Sequence, residues 1–137
     1  MRTVTTLVVS AFALAVAAAG CGDDQPDTAG VRLVSVGQGA AILDDPPPGL
    51  VVLDVRTIEE FQTGHLDGAT MLDAYRTDFG ERLAALDRDV PYLLYCRSGN
   101  RSGQTRAMME DLGFTDVADV DGGVLAWAAA GLPLTTP

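Results

Sequence analysis

Apolar and polar positions along residues 31–137 follow two alternating patterns. Short apolar runs are typical of buried strands, and the segments between them have the composition and spacing of helices. In the clearest run, Leu50–Val55, Asp54 is the only polar residue, as expected of a strand covered on both faces of a parallel sheet. The patterns predict strands near 31–36, 50–55, 70–72, 90–95 and 117–120, and helices near 35–43, 57–61, 79–86, 101–112 and 123–130. This alternation predicts an α/β layer fold with a mainly parallel sheet.

Two local signals mark helix ends. Thr57 and Glu60 have the spacing of a capping box, which predicts that a short helix opens after the strand 50–55. Gly113 follows the segment 101–112 and is expected to stop that helix.

The first twenty residues differ from the rest and predict a secretory signal peptide. Arg2 precedes the apolar segment 7–19, which at about 1.5 Å per residue is too short to cross a hydrocarbon core of about 30 Å comfortably. Small residues then lead to Cys21, so the segment resembles a bacterial lipoprotein signal in which Cys21 becomes the lipidated first residue. Cleavage with release and an uncleaved anchor are the alternatives.

Polar residues and turn formers dominate the stretch that follows the predicted signal peptide. Residues 21–30 are therefore expected to form a flexible tether, and residues 31–137 a single domain. We expect the mature domain to be exported and held at the cell-envelope membrane by a lipid on Cys21.

Composition excludes several classes of function. A net charge of −10 disfavours nucleic acid as a partner, because phosphates would be repelled. Two cysteines cannot build a disulfide-rich scaffold or a four-cysteine zinc site, and one histidine leaves little material for a transition-metal site. If Cys21 is lipidated, Cys96 is the only free thiol of the exported chain, and that calls for an explanation.

The candidate chemistry lies in the loop after the strand 90–95, between a buried strand and a helix. Its residues are Cys96, Arg97, Ser98, Gly99, Asn100, Arg101 and Ser102. Ligands of parallel sheets bind at such carboxyl edges, and a helix amino end offers N–H groups to an anion. Gly99 and Asn100 tolerate positive φ, so the loop can curl into a nest of N–H groups. That nest, with Arg97 and Arg101, should lower the pKa of Cys96 and favour its thiolate. The alternative is a buried, inert cysteine.

Several short motifs resemble a known family in order and spacing. They are Leu53-Asp54-Val55-Arg56, Glu59-Glu60-Phe61, Gly64-His65-Leu66-Asp67-Gly68-Ala69, Cys96 to Ser102, Gly122-Gly123 and Ala126-Trp127. Together they resemble a single-domain rhodanese over about residues 31–134. The resemblance implies a three-layer fold whose mainly parallel central sheet carries helices on both faces.

The resemblance also implies sulfur transfer from a thiosulfate-type donor. Cys96 would take the outer sulfur as a persulfide and pass it to cyanide, a small thiol or a protein thiol. Backbone N–H groups of residues 97–102 would hold the anion, and Arg97 and Arg101 would attract the donor. No metal or organic cofactor is required.

Asp54 and Arg56 are candidates for a supporting role. Asp54 ends a strand at the sheet edge expected to carry Cys96, so its carboxylate is expected to orient Arg101 and stiffen the loop; a turn or cap acid is the alternative. Arg56 is expected either to pair with Glu60 or to line the pocket entrance.

Three other residues invite assignment. His65 is the only histidine, and the resemblance implies that it braces its loop. Trp127 is expected to fill the core. Arg106, one helical turn beyond the loop, is expected to be a solvated surface charge.

Three alternatives stay open for the function. A phosphatase or arsenate reductase also uses a cysteine in an anion-binding loop, but its usual spacing places five residues between the cysteine and an arginine, whereas Arg101 follows Cys96 after four. A persulfide carrier or docking module without turnover would keep the same residues. A redox thiol protein would need a resolving cysteine that this sequence does not offer.

Overall fold

The structure, a computed structural model, describes residues 29–137. Five strands and five helices follow one another in the order β1 Val31–Val34, α1 Val36–Asp44, β2 Val51–Asp54, α2 Ile58–Thr63, β3 Thr70–Met71, α3 Phe79–Ala84, β4 Tyr92–Tyr95, α4 Asn100–Asp111, β5 Val117–Val120 and α5 Gly123–Ala129. Every element that the sequence patterns predict is found within a few residues of its expected bounds. The signal peptide, Cys21 and most of the tether lie outside the described residues.

The strands form one parallel sheet in the order β1-β5-β4-β2-β3. Its register aligns Asp54 of β2 with Tyr95 of β4, and Leu94 of β4 with Asp119 of β5. The loop that starts at Cys96 therefore leaves the carboxyl edge of the sheet between Asp54 on one neighbouring strand and Asp119 on the other. This confirms the predicted α/β fold and sets the residues that can surround the thiol.

Two apolar clusters cover the two faces of the sheet, and the central strands β4 and β5 are buried along their whole length. One cluster includes Phe79 and Leu83 of α3 and Met109 of α4. The other includes Trp127 of α5, and side chains of α1 pack against it. The result is a three-layer arrangement with helices on both faces, as the resemblance implied.

The predicted helix signals are present in the structure. The Thr57 hydroxyl accepts the Glu60 N–H and the Glu60 carboxylate accepts the Thr57 N–H, so both halves of the capping box form. Gly113 adopts a φ of 84° directly after α4, where glycine ends a helix at least cost. In the part of the chain that the structure describes, no helix has the length and apolar character needed to span a bilayer.

Candidate functional site

The loop between β4 and α4 is shaped by one glycine. Gly99 adopts a φ of 98° as the N-cap of α4, and no side chain caps the first turn of this helix. The first N–H groups of α4 therefore remain free to serve the loop. Asn100, which also tolerates positive φ, is instead the first helical residue and has a negative φ.

The sulfur of Cys96 lies at the centre of this curl. The Gly99 N–H donates to Sγ at 3.1 Å, and Cys96 is only 1% exposed. Burial raises the pKa of the Cys96 thiol. The Ser102 hydroxyl and the N–H groups of Ser102, Gly99 and Ser98 together lower it by more than burial raises it, so the net shift is downward. A thiol buried for packing alone would have a raised pKa. This site instead favours a sulfur anion.

The sequence predicts that the N–H nest, Arg97 and Arg101 together lower the Cys96 pKa. The largest lowering contributions come from the Ser102 hydroxyl and the N–H donors. Arg101 also interacts with the sulfur charge, because the pKa of Arg101 is raised by Glu60 and, to a smaller extent, by a negative Cys96. The Arg101 guanidinium is occupied by a carboxylate, and Arg97 is exposed. Both arginines are therefore placed to meet an incoming anion, and Arg101 also favours the thiolate through its charge.

The start of α5 holds the loop from behind. The Val124 and Leu125 N–H groups donate to the carbonyl oxygens of Cys96 and Arg97 at 2.9 and 3.1 Å. This contact needs glycine at 123, whose φ is 58°, because a Cβ there would collide with the Cys96 carbonyl oxygen and lie 2.7 Å from that of Arg97. The Gly122-Gly123 motif thus permits a close approach between two segments that are distant in sequence.

Glu60, rather than Asp54, orients Arg101. Both Glu60 carboxylate oxygens accept hydrogen bonds from the Arg101 guanidinium, each at 2.7 Å. The hydrogen bond with Arg101 lowers the pKa of Glu60 to about 2. On its other side the guanidinium lies 5.2 Å from the ring centre of Tyr75. The prediction that Asp54 orients Arg101 is wrong, because Arg101 pairs with Glu60, the capping carboxylate of α2.

Asp54 has different partners, which lie beneath the loop. Its carboxylate accepts hydrogen bonds from Arg56 at 2.7–3.0 Å and from the Tyr95 hydroxyl at 2.6 Å. Arg56 is 2% exposed and also donates to the Gly64 carbonyl at 2.8 Å. Both expectations for Arg56, pairing with Glu60 and lining the pocket entrance, are therefore wrong. The network ties β2 to the residue that precedes Cys96 and so supports the loop indirectly.

An open depression of about 430 Å³ lies over the outer side of the loop. Its walls are formed by Tyr75, Arg97, Ser98, Asn100, Arg101 and Gln104. Four of the predicted loop residues are thus brought to one surface, whereas Cys96, Gly99 and Ser102 do not line it, and Cys96 and Ser102 are buried. A small anion in this depression would meet the guanidinium groups of Arg97 and Arg101.

His65, Trp127 and Arg106 all lie outside the loop between β4 and α4. His65 stacks on Phe61 with ring centres 3.7 Å apart, and its ring Nδ1 lies 3.0 Å from the Phe61 carbonyl oxygen, an arrangement that braces its loop. Trp127 is buried in the core as expected. Arg106 is not simply a solvated surface charge, because its side chain is 29% exposed and lies 3.7 Å from the buried carboxylate of Asp119.

The sequence patterns do not predict the contacts of Glu60 and Asp119. The capping box accounts for Glu60 in the sequence, but a carboxylate has a second oxygen that can bind elsewhere. Asp119 interrupts the apolar strand Val117–Val120, and a charged residue in so short a buried strand was the available signal. Across residues 29–137, no group of three or more histidine, cysteine or acidic side chains is arranged to hold a metal ion.

Comparison with known proteins identifies one family. The sequence profile of the rhodanese-like domain matches residues 35–130. The thiosulfate sulfurtransferase GlpE of Pseudomonas putida strain F1 is 40% identical over 82 residues, which are 59% of this chain and 72% of that protein. A rhodanese-related protein of Thermoplasma volcanium superposes with a TM-score of 0.67 at 25% identity, covering 77% of this chain and 99% of that one.

A longer relative shares only part of its length with this chain. The probable adenylyltransferase/sulfurtransferase MoeZ of Mycobacterium tuberculosis is 38% identical over 79 residues, or 58% of this chain. The match covers 20% of MoeZ, so this chain spans about a fifth of that relative.

Proposed function

Since the chain belongs to the rhodanese-like domain family, we propose that it is a sulfurtransferase that carries sulfane sulfur on Cys96. The observation that supports this most is the state of the thiol. Cys96 is almost fully buried, yet N–H donors and the Ser102 hydroxyl hold its pKa below the ordinary value. A site that stabilises negative sulfur suits a reaction in which both the nucleophile and the product on it are sulfur anions.

The first half-reaction takes sulfur from a small anionic donor of the thiosulfate type. The Cys96 thiolate attacks the outer sulfur, the S–S bond of the donor breaks, and sulfite leaves with the bonding electron pair. Arg97 and Arg101 attract the donor, and the loop N–H groups stabilise the terminal sulfur of the resulting persulfide.

The second half-reaction passes the sulfur on. An acceptor thiolate, of a small thiol or of a protein, attacks the terminal persulfide sulfur, and the Cys96 thiolate leaves. Cyanide can replace the thiol and yields thiocyanate. Because the two substrates react in turn with the same sulfur, ping-pong kinetics are expected. Neither half-reaction needs a metal or an organic cofactor.

A steady-state assay tests this function. The full chain is incubated with thiosulfate and cyanide, and thiocyanate is measured over many turnovers. Cys21→Ser and Cys96→Ser each remove one thiol and form a matched pair: we expect full activity in the first and none in the second. One sulfur per chain without turnover would indicate a carrier, and phosphate release from an aryl phosphate without thiocyanate would indicate a phosphatase. Either result contradicts the proposal.

We also propose where the domain acts. The apolar segment 7–19, which ends in Ala18-Ala19 and is followed by Gly20 and Cys21, supports export and lipid attachment at Cys21. The lipid would hold the domain at the cell-envelope membrane, outside the cytoplasm. Labelling with palmitate tests this: the chain should incorporate label and Cys21→Ser should not. Recovery of the unlabelled mature protein from the medium would contradict it.

A further inference from the structure

A second carboxylate lies behind the loop and takes no part in the mechanism above. Asp119 of β5 is 0% exposed, and within residues 29–137 neither of its carboxylate oxygens has a hydrogen-bond partner. Buried ionised carboxylates are normally paired, because each lost contact with water is costly. A carboxylate buried without a hydrogen bond, and with only a long ion pair to Arg106, indicates a group whose charge can change.

Asp119 has apolar residues beside it in the sheet and polar ones on α4. Its register neighbours are Leu94 of β4 and Leu33 of β1. From α4, the Arg106 guanidinium lies 3.7 Å away, and the Ser102 hydroxyl lies near enough to lower the Asp119 pKa. The other charge that acts on it is Asp121, which is exposed and follows β5.

Ser102 links this carboxylate to the thiol. Its hydroxyl is fully buried and lowers the pKa of both Cys96 and Asp119. Among the described residues it makes no hydrogen bond of ordinary geometry to either. The hydroxyl therefore acts on both groups without a formed hydrogen bond to either. A serine hydroxyl carries one proton and rotates freely, so it can donate to only one of them at a time.

We propose that Asp119 is a positioning residue for Cys96: its carboxylate, acting through the Ser102 hydroxyl, controls how strongly that hydroxyl stabilises a negative sulfur. When Asp119 is ionised, it accepts a hydrogen bond from the Ser102 hydroxyl, and this donor is withdrawn from the sulfur. When Asp119 is protonated, its own O–H donates to the Ser102 oxygen, and the serine proton turns to Cys96. No bond to sulfur forms or breaks in this exchange.

This exchange takes place in an accessible pH range. Burial raises the pKa of Asp119 to about 6, although Ser102 and Arg106 lower it in part and Asp121 raises it further. By linkage, a new negative charge on sulfur, whether thiolate or persulfide, favours protonation of Asp119. The thiolate is accordingly retained to lower pH than a cysteine with a permanently charged neighbour would allow.

The inference rests on the proposed role of Cys96 as nucleophile, but its test measures the thiolate and not sulfur transfer. For each variant, the ultraviolet absorbance of the full chain is measured against pH. The absorbance of the same chain with Cys96→Ser added is subtracted, so that the contributions of Cys21 and the tyrosines cancel. A chain that forms no persulfide would refute the function, whereas the titration decides the inference independently.

We expect the wild-type thiolate titration to be broader than that of a single group, with a step near pH 6. Asp119→Asn supplies a neutral donor to Ser102 at every pH. It should give one step displaced by about one pH unit to lower pH, or about tenfold more thiolate at a fixed pH, as expected of one charge-assisted hydrogen bond. Asp111→Asn removes an exposed charge at the end of α4 and should leave the wild-type curve unchanged.

A double-mutant comparison tests the route through Ser102. In a Ser102→Ala background, Asp119→Asn should no longer shift the thiol titration, because the shared proton is absent. Arg106→Gln should move the step near pH 6 to higher pH, and it provides a second measurement if Asp119→Asn fails to fold. Superimposable wild-type and Asp119→Asn curves, or an undiminished Asp119→Asn shift without Ser102, would overturn the proposal.

Discussion

The buried carboxylate of Asp119 should cost the fold free energy at neutral pH, and this cost can be measured. Its pKa rises from 3.8 to about 6, chiefly through burial. At about 1.4 kcal/mol for each tenfold change in the proton-binding constant, this corresponds to about 3 kcal/mol. Because the folded-state pKa is the higher one, the folded protein binds the proton more tightly. Asp119 therefore destabilises the fold progressively as pH rises from about 4 to about 6, and fully above that range.

Replacing Asp119 with asparagine keeps the shape and removes the charge. The unfolding free energy, measured with urea, should increase by about 3 kcal/mol at pH 8 and by about half as much at pH 5. Asp111→Asn, at an exposed site on the neighbouring helix, should change neither value. An equal increase in unfolding free energy at both pH values would mean that the effect comes from packing and not from the charge. A loss of stability at pH 8 would refute the account of this carboxylate.

Three further substitutions address the support of the loop. Tyr95→Phe leaves the buried Leu66 N–H without its acceptor, so urea unfolding should show a loss of about 1–3 kcal/mol; an unchanged midpoint would contradict the hydrogen bond. Glu60→Gln should slow persulfide formation about tenfold in rapid-quench mass spectrometry, because Arg101 loses its bidentate partner, and an unchanged rate would assign that pair to stability alone. Gly123→Ala introduces strain of about 1–3 kcal/mol at a positive φ, so lower stability and slower persulfide formation are expected together; retention of both would show that the loop tolerates a Cβ.

Much of the fold could be predicted because its signals are local. The run Leu50–Val55 is apolar enough to be a strand covered on both faces, and the Thr57 capping box marks a helix start with two hydrogen bonds that depend only on neighbouring residues. The position of Cys96 at the carboxyl edge followed from strand–helix alternation alone. These features need no knowledge of which distant segments touch.

The partners of the charged residues could not be predicted in the same way. Asp54 is the last residue of β2 and Glu60 lies in the first turn of α2, so either could have reached Arg101. The choice depends on where α2 lies over the edge of the sheet. The parallel register placed Tyr95 beside Asp54, and with Arg56 it occupies that carboxylate fully. Sequence spacing limits which residues can meet, whereas the packing of α2 and α4 decides which of them do.

The central claim is that Cys96 carries sulfur as a persulfide, and intact-mass measurement of the full chain tests it most directly. After thiosulfate treatment, the mass should rise by one sulfur atom, fragmentation should place that atom on Cys96, and cyanide added last should remove it. An unchanged mass after thiosulfate, or the same gain of one sulfur atom in the Cys96→Ser variant, would contradict the account.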